Sequence, residues 1–453
     1  MTGGLITDLY ELTMAANYLR RGMNGPATFS LFVRDLPPDR GYLVACGLED
    51  CLAFVEDYGF TEEDLDYLRE EQHFDTATLR ALEKLRFTGD VWAVPEGRVV
   101  FPGEPLLEVT APIAEAQLVE TVVLNHLTFQ TSIATKAARC ARAAGAARVI
   151  DFSFRRTQGI DSGLAVARAS YIAGFAGTSN VEAARRHGLP AVGTMAHSFV
   201  EAFPDEQAAF EAFTADFPDR TTLLVDTYDT LDGVRAAIRT ALRAGGPGLL
   251  SGIRLDSGDL GALAVQARHL LDQAGMSGTR IVASGGLDEF SIADLTAAAA
   301  PIDVYGVGTR MGVSADAPSL DSAYKLVAFE GRPVMKLSTG KATAPGAKQV
   351  YRRAERDVIT LRDEPAPHGT HPLLLPVMRG GRRISPAEPL TRARERCEAD
   401  INALPAPITR LRRPETATVR LSPRLEQTRD DLRADLLSRV RQARTREMID
   451  DGA

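Results

Sequence analysis

Several short stretches of this chain gather residue types that do chemistry. In GTMAHSFV, residues 193–200, His197 follows a run of small residues and opens what reads as a helix. A histidine there is a packed residue, a metal ligand or the group that reacts. In DSGD, residues 256–259, two carboxylates flank a serine and a glycine directly after the apolar run GIRL. Asp256 and Asp259 can hold magnesium or ribose hydroxyls, since hard cations and sugar diols both take oxygen ligands. The plainer reading is a helix N-cap at Asp256 or Ser257. Arg254 precedes Asp256 by two positions, so on a strand both side chains share a face. Inside a barrel that charge is costly unless a ligand meets it.

ASGGL (283–287) and YGVGTR (305–310) each end an apolar run with glycines and a polar helix start. Either is a tight turn when taken alone; two in succession favour a phosphate held by backbone N–H groups at helix N-termini. DFSFRRTQG (151–159) joins aromatic residues to arginines, a pairing that suits a flat anionic ring, although Phe154 reads as core. LVDTYDT (223–229) adds Asp226, with a helix cap as its plain reading. Of the remaining histidines, His73, His187, His368 and His371 lie in polar surroundings, and His126 and His269 sit on helices.

These motifs all fall at the ends of predicted strands. From about residue 120 to 340, apolar runs at 148–154, 174–180, 191–196, 221–227, 251–257, 279–286 and 303–310 alternate with alanine-rich helical stretches. That alternation implies right-handed parallel βα units. Both a barrel and an open doubly wound sheet satisfy it; polar or glycine-rich residues after nearly every strand favour the barrel. The expected fold is α/β: an irregular parallel βα barrel at 121–340, beside a second α/β domain assembled from both chain ends. Residues 1–120 supply an amphipathic helix and antiparallel strands to that domain. Residues 341–453 complete it and end in a charged helix.

The 453 residues suffice for two domains. Hydrophobic residues make up 45% and charged residues 25%, a soluble globular balance. A net charge of -8 argues against a broad nucleic-acid or anionic-membrane surface and for a small partner. Cys46, Cys51, Cys140 and Cys397 are scattered, which indicates neither zinc nor a disulfide framework. With no basic-then-apolar start and no long apolar run, the expected location is the cytoplasm.

Together TDLYELTM, DFSFRRTQG, GTSNV, GTMAHSFV, LVDTYDT, GIRLDSGDL, ASGGLDE, YGVGTR and KATAPGAKQVYR, in this order, resemble the nicotinate phosphoribosyltransferase family along nearly the whole chain. The resemblance implies a type II phosphoribosyltransferase fold. It further implies transfer of phosphoribose from phosphoribosyl pyrophosphate to nicotinate, coupled to ATP hydrolysis, with magnesium required. On it, His197 accepts the phosphoryl group of ATP and Asp226 orients its ring. Tyr10 reaches the nicotinate ring from a neighbouring subunit, implying a homodimer with shared sites, and Phe152 stacks on the other face. Arg155 contacts phosphate, Thr194 the pyridine substrate and Arg254 its carboxylate. Asp256 and Asp259, in the turn with Ser257 and Gly258, serve ribose and magnesium. Gly285, Gly286, Gly308 and Thr309 hold the 5′-phosphate. Lys341, Lys348 and Arg352 are assigned to ATP or pyrophosphate.

Two alternatives remain at this stage: a nicotinamide phosphoribosyltransferase and a barrel that binds a phosphorylated metabolite without turnover. Against the first, GTSNV carries Ser179 where an amide-binding enzyme is expected to carry an aspartate; serine can donate to a carboxylate, whereas an aspartate would repel it. Against the second stands the intact set of His197, Asp226 and DSGD. The departures from the family pattern are STGK within KLSTGKATAPG, where a glutamate is expected before the glycine, and the lack of support for a zinc tail.

Overall fold

The β-branched runs after residue 147 pair as parallel strands in a computed structural model that describes residues 3–337, 343–353 and 356–450, the last eight without their side chains. The chain divides into two compact units, Ser132–Pro318 and Met1–Thr131 with Ser319–Ala453.

In the unit Ser132–Pro318, six parallel strands run in the spatial order Gly177–Thr178, Arg148–Asp151, Val304–Val307, Arg280–Ala283, Gly252–Leu255 and Thr222–Leu224. Ile150, Leu223, Ile253, Leu255, Ile281 and Val307 are buried along them, and the intervening helices cover the sheet, as βα connectivity requires. Asn180, Asp229, Asp259 and Asp288 each cap the helix that follows with a side-chain oxygen, which fixes where strand ends turn into helix starts. A buried ion cluster, Lys136 and Arg139 on Glu289 at 2.6 and 3.0 Å, fastens the helix Glu289–Ala297.

The irregularity lies at the predicted third strand. AVGTMA makes a single parallel bridge, Ala191 to Thr178. It does not extend the ladder: small residues give it little to pack, and the chain turns into the helix His197–Glu201. The sheet is therefore a curled half-barrel, open between Ala191 and Thr222–Leu224 among the described residues. The first strand also stops early. The Asp151 carboxylate accepts from Ser153 N and Oγ and bends the chain into the 3-10 turn Phe154–Arg156.

In the other unit, a seven-stranded sheet carries Ser322–Phe329 against Pro26–Val33, with Phe29 stacked on Tyr324 at 4.8 Å. A four-stranded sheet is built from Lys348–Arg353, Arg356–Leu361 and two short strands. Both chain ends do build this unit, but its limits differ from the expected 120 and 340. Residues 319–337 belong to it because Ser322–Phe329 pairs with the N-terminal strand, and the helix Glu120–Ala143 contributes to it as far as Thr131. All four cysteines are free and buried. No described helix is long and apolar enough to cross a membrane.

Candidate functional site

The carboxyl ends of the parallel strands converge around Arg254. It is the third residue of the strand Gly252–Leu255, and its guanidinium donates from Nε to Ser284 Oγ at 2.8 Å and from Nη2 to Asp256 Oδ1 at 2.6 Å. Ser284 Oγ also bonds Asp256 Oδ1. The shared face expected for Arg254 and Asp256 is thus observed. The charge sits above the buried core because two neighbours satisfy it. Burial pushes the Asp256 carboxyl up, but the Ser284 hydroxyl, Arg254 and His197 more than offset this, leaving it below the usual carboxylate range. The Arg254 guanidinium also lies 5.3 Å from the centroid of the Phe152 ring, within cation–π range.

His197 is the first residue of the helix His197–Glu201. Its Nδ1 is 3.2 Å from Thr227 Oγ1, and its Nε2 is 4.0 Å from Asp256 Oδ2. The ring is partly open to solvent. The expected partner for the ring is corrected here. Asp226 does not meet it; Asp226 Oδ2 accepts from Asp256 N at 3.1 Å and Ser257 Oγ at 2.6 Å, so it braces the DSGD turn instead. Thr227, one residue on, takes the place beside the ring. Asp226 Oδ1 is buried and has no hydrogen-bond partner.

The N-cap expected at Asp256 or Ser257 falls instead at Asp259. Asp259 Oδ1 accepts from Ala262 N at 3.1 Å and starts the helix Leu260–Gln273. Asp256 is thereby left to the site, and the left-handed Gly258, at φ 81°, makes the turn between them.

The two glycine turns pack against the same residues. Gly285 has φ 98°, and a Cβ there would stand 2.0 Å from the Asp256 carbonyl oxygen, so only glycine permits the two turns to touch. Gly286 (φ 65°) faces open space. Gly308 precedes the short helix Thr309–Gly312 and lies beside the Phe152 carbonyl. A Cβ at Gly306 would meet the Phe152 ring at 2.6 Å, which shows where that ring rests.

On the other strand ends, Ser179 is exposed while its N–H donates to Asp151 O at 2.8 Å. Arg155 is exposed on its 3-10 turn, and Thr194 is half-buried in the loop before His197. Sequence reasoning missed Thr227, Ser284 and Asp151. The last is buried, with its carboxylate shared between Ser153 and the Thr178 hydroxyl (2.7 Å), so it ties the turn bearing Phe152 to the turn bearing Ser179. All three lie inside motifs already singled out, where their polarity beside an apolar run was the available signal.

The candidates outside this unit fare differently. Tyr10 is exposed on the helix Leu9–Arg20. Lys348 and Arg352 are corrected. Lys348 is buried, paired with Glu108 at 3.1 Å and bonded to the Ala344 and Gly346 carbonyls. Arg352 is held by Asp357, by Asp400 at 3.5 Å and by the Val99 carbonyl at 2.9 Å. Their strand, Lys348–Arg353, turns both side chains inward to structural partners, so neither is free for a nucleotide. Lys341 lies outside the described residues.

As donors for magnesium, the carboxylates at this rim are of the right kind: Asp256 Oδ2 bonds no described donor, and Asp226 Oδ1 is an orphan. Among the described residues no group of three or more metal-binding side chains occurs. Magnesium needs no such group, since it keeps several waters and takes one or two carboxylates together with phosphate oxygens.

Comparison with known proteins agrees with this geometry. Three family descriptions match in tandem: the nicotinate phosphoribosyltransferase N-terminal domain over residues 5–128, the nicotinate phosphoribosyltransferase family over 147–356, and the nicotinate phosphoribosyltransferase C-terminal domain over 366–429. The chain is 52% identical over 408 residues to a nicotinate phosphoribosyltransferase of Mycobacterium tuberculosis, covering 89% of this chain and 88% of that protein. It is 44% identical over 375 residues to the enzyme of that name from Bacillus subtilis, covering 80% and 76%. The crystal structure of human nicotinic acid phosphoribosyltransferase superposes with a TM-score of 0.84 at 30% identity, covering 94% of this chain and 99% of that one.

Proposed function

The chain belongs to the nicotinate phosphoribosyltransferase family, acting in NAD synthesis, and on that premise we propose that it couples phosphoribosyl transfer to ATP hydrolysis through phosphorylation of His197. The observation that carries the proposal is the convergence of His197, Asp256, Arg254, Ser284 and Phe152 at one end of the parallel sheet.

When Nδ1–H donates to Thr227, the Nε2 lone pair is left available as a nucleophile. Attack on the γ-phosphorus of ATP forms the N–P bond and breaks the bond to the bridging oxygen, which leaves with ADP; water later cleaves the N–P bond and releases phosphate. In the transfer step, the nicotinate ring nitrogen attacks C1′ of phosphoribosyl pyrophosphate and pyrophosphate departs. That nitrogen carries no proton, so no general base is required. Phe152 offers a face for the ring, and Arg254 keeps Nη1 free for the carboxylate while Nε and Nη2 are held. Gly285, Gly286, Gly308 and Thr309 provide backbone N–H groups for the 5′-phosphate. Magnesium, held by Asp256 with Asp226 or Asp259, would neutralise phosphate charge.

A second chain completes the site in this reading. Ile6, Leu9 and Tyr10 stand 59%, 51% and 48% exposed in one N-terminal stretch, an apolar surface suited to a homodimer contact. Buried, reduced thiols suit a cytoplasmic enzyme. The test is pyrophosphate release from phosphoribosyl pyrophosphate with nicotinate or nicotinamide, each with and without ATP. Nicotinate is expected to be preferred and ATP to stimulate; preference for nicotinamide would overturn the Ser179 argument, and indifference to ATP the coupling.

A further inference from the structure

Inside the curled sheet lies a cavity of about 410 Å³, within the range of small-molecule sites. Its lining runs the length of the strands. At the carboxyl ends it reaches Phe152, Gly193 and Thr194, the residues of the site described above. Midway it is walled by Ile150 and Val282, and Val304, which pairs with Arg148 at the start of its own strand, adds an apolar side chain below them. At the amino ends it opens beside Arg148, Arg220 and Arg280, with Asp219 as the only acidic lining residue. Arg148 and Arg280 are the first residues of their strands, and Arg220 closes the 3-10 turn before Thr222–Leu224. All three arginines are exposed, and none is in an ion pair among the described residues.

The site needs none of these arginines to hold a phosphate: its glycine turns lie at the opposite ends of the strands. A low-dielectric passage with one sign of charge at its mouth focuses field lines and draws in the opposite charge. Midway, Ile150 and Val282 present apolar walls, against which a flat ring can pack and a polyanion loses more hydration than a monoanion does. We propose that the arginine-ringed mouth at the amino ends of the strands is an inlet for a monoanionic aromatic carboxylate, nicotinate itself, which reaches Phe152 through the sheet interior while phosphoribosyl pyrophosphate binds from the other end. The proposal rests on nicotinate being the acceptor.

The test is a set of steady-state titrations of each substrate with Arg148→Glu/Arg280→Glu, with the neutral pair Arg148→Gln/Arg280→Gln, and with Val282→Phe in the apolar wall. The charge-reversed pair is expected to lose about tenfold in kcat/KM for nicotinate at low salt, with the gap closing as ionic strength rises. Its KM for phosphoribosyl pyrophosphate and its kcat at saturation stay as in the unaltered chain. The neutral pair shifts the same way by less, and Val282→Phe lowers nicotinate kcat/KM at every salt concentration. Unchanged nicotinate kcat/KM in the paired arginine variants overturns the inlet even where the unaltered chain is active. An unaltered chain that fails to use nicotinate overturns instead the reading on which the inlet depends.

Discussion

His197 Nε2 stands 4.0 Å from Asp256 Oδ2, on a carboxylate whose other oxygen is held by Arg254 and Ser284. Both partners are partly open to solvent, so the pair adds little to stability. Its value is positional. Asp256 cannot swing toward the ring without giving up Arg254, which keeps one carboxylate edge facing the nitrogen proposed to carry phosphate.

His197→Ala is expected to lose ATP stimulation and to retain slow, uncoupled transfer, because Arg254, Phe152 and the glycine turns remain. Pyrophosphate release with and without ATP measures it. If ATP still accelerates the variant, His197 is not the phosphoryl acceptor.

Gly285 and Gly286 separate two kinds of glycine requirement. Gly285→Ala adds a 2.0 Å backbone approach to an unfavourable φ, so a stability loss above the ~1–3 kcal/mol of φ strain alone is expected. A raised KM for phosphoribosyl pyrophosphate should accompany it. Gly286→Ala meets open space and should cost only about 1–2 kcal/mol. Urea unfolding of both variants, with substrate titration, compares them; equal losses would contradict the close approach at Gly285.

Lys348→Met tests whether this lysine serves a nucleotide or the fold. Burial lowers its pKa, and Glu108 offsets part of that. Removing one member of a buried pair costs up to about 3–5 kcal/mol, less the share that Arg362, also on Glu108, retains. Stability should fall while the KM for ATP, measured below the melting transition, stays unchanged. A raised KM with unchanged stability would restore the nucleotide role.

Glu11 should make stability depend on pH. Burial pushes its carboxyl up to about 7, against the Thr121 and Thr7 hydroxyls that lower it, with Glu120 and Asp8 adding to the rise. The folded chain thus keeps a proton that the unfolded chain releases near 4.5. Stability should therefore fall as pH rises from about 4.5 to about 7 and level off above, by of order 1–3 kcal/mol. Glu11→Gln should flatten that segment of a urea-unfolding profile; a slope that persists in the variant assigns the effect elsewhere.

Most of the parallel sheet was legible, because apolar runs ending in polar or glycine turns mark βα units directly. Arg254 and Asp256 were legible together through the two-residue period of a strand. Asp226 was assigned to His197 on resemblance, and nothing in LVDTYDT says which of two adjacent polar residues faces the ring; the bend that follows Thr222–Leu224 places Thr227 there. Lys348 and Arg352 misled because a basic loop and a buried strand with paired cations read alike until Glu108, Asp357 and Asp400 come into contact from distant parts of the chain. The third strand failed for lack of bulky side chains.

That failed strand leaves His197 at the end of a stretch with few ties. Val192 N–H bonds Thr178 at 2.9 Å, and from Gly193 to Ser198 no backbone N–H donates to a strand among the described residues. A histidine locked in a ladder could change place only by breaking sheet hydrogen bonds in the low-dielectric interior. Here the reorganisation involves the ring's contacts with Thr227 and Asp256 and torsions at the start of one short helix. The gap in the barrel gives the proposed phosphoryl carrier a low mechanical stiffness at the point where it must face ATP in one part of the cycle and phosphoribosyl pyrophosphate in another.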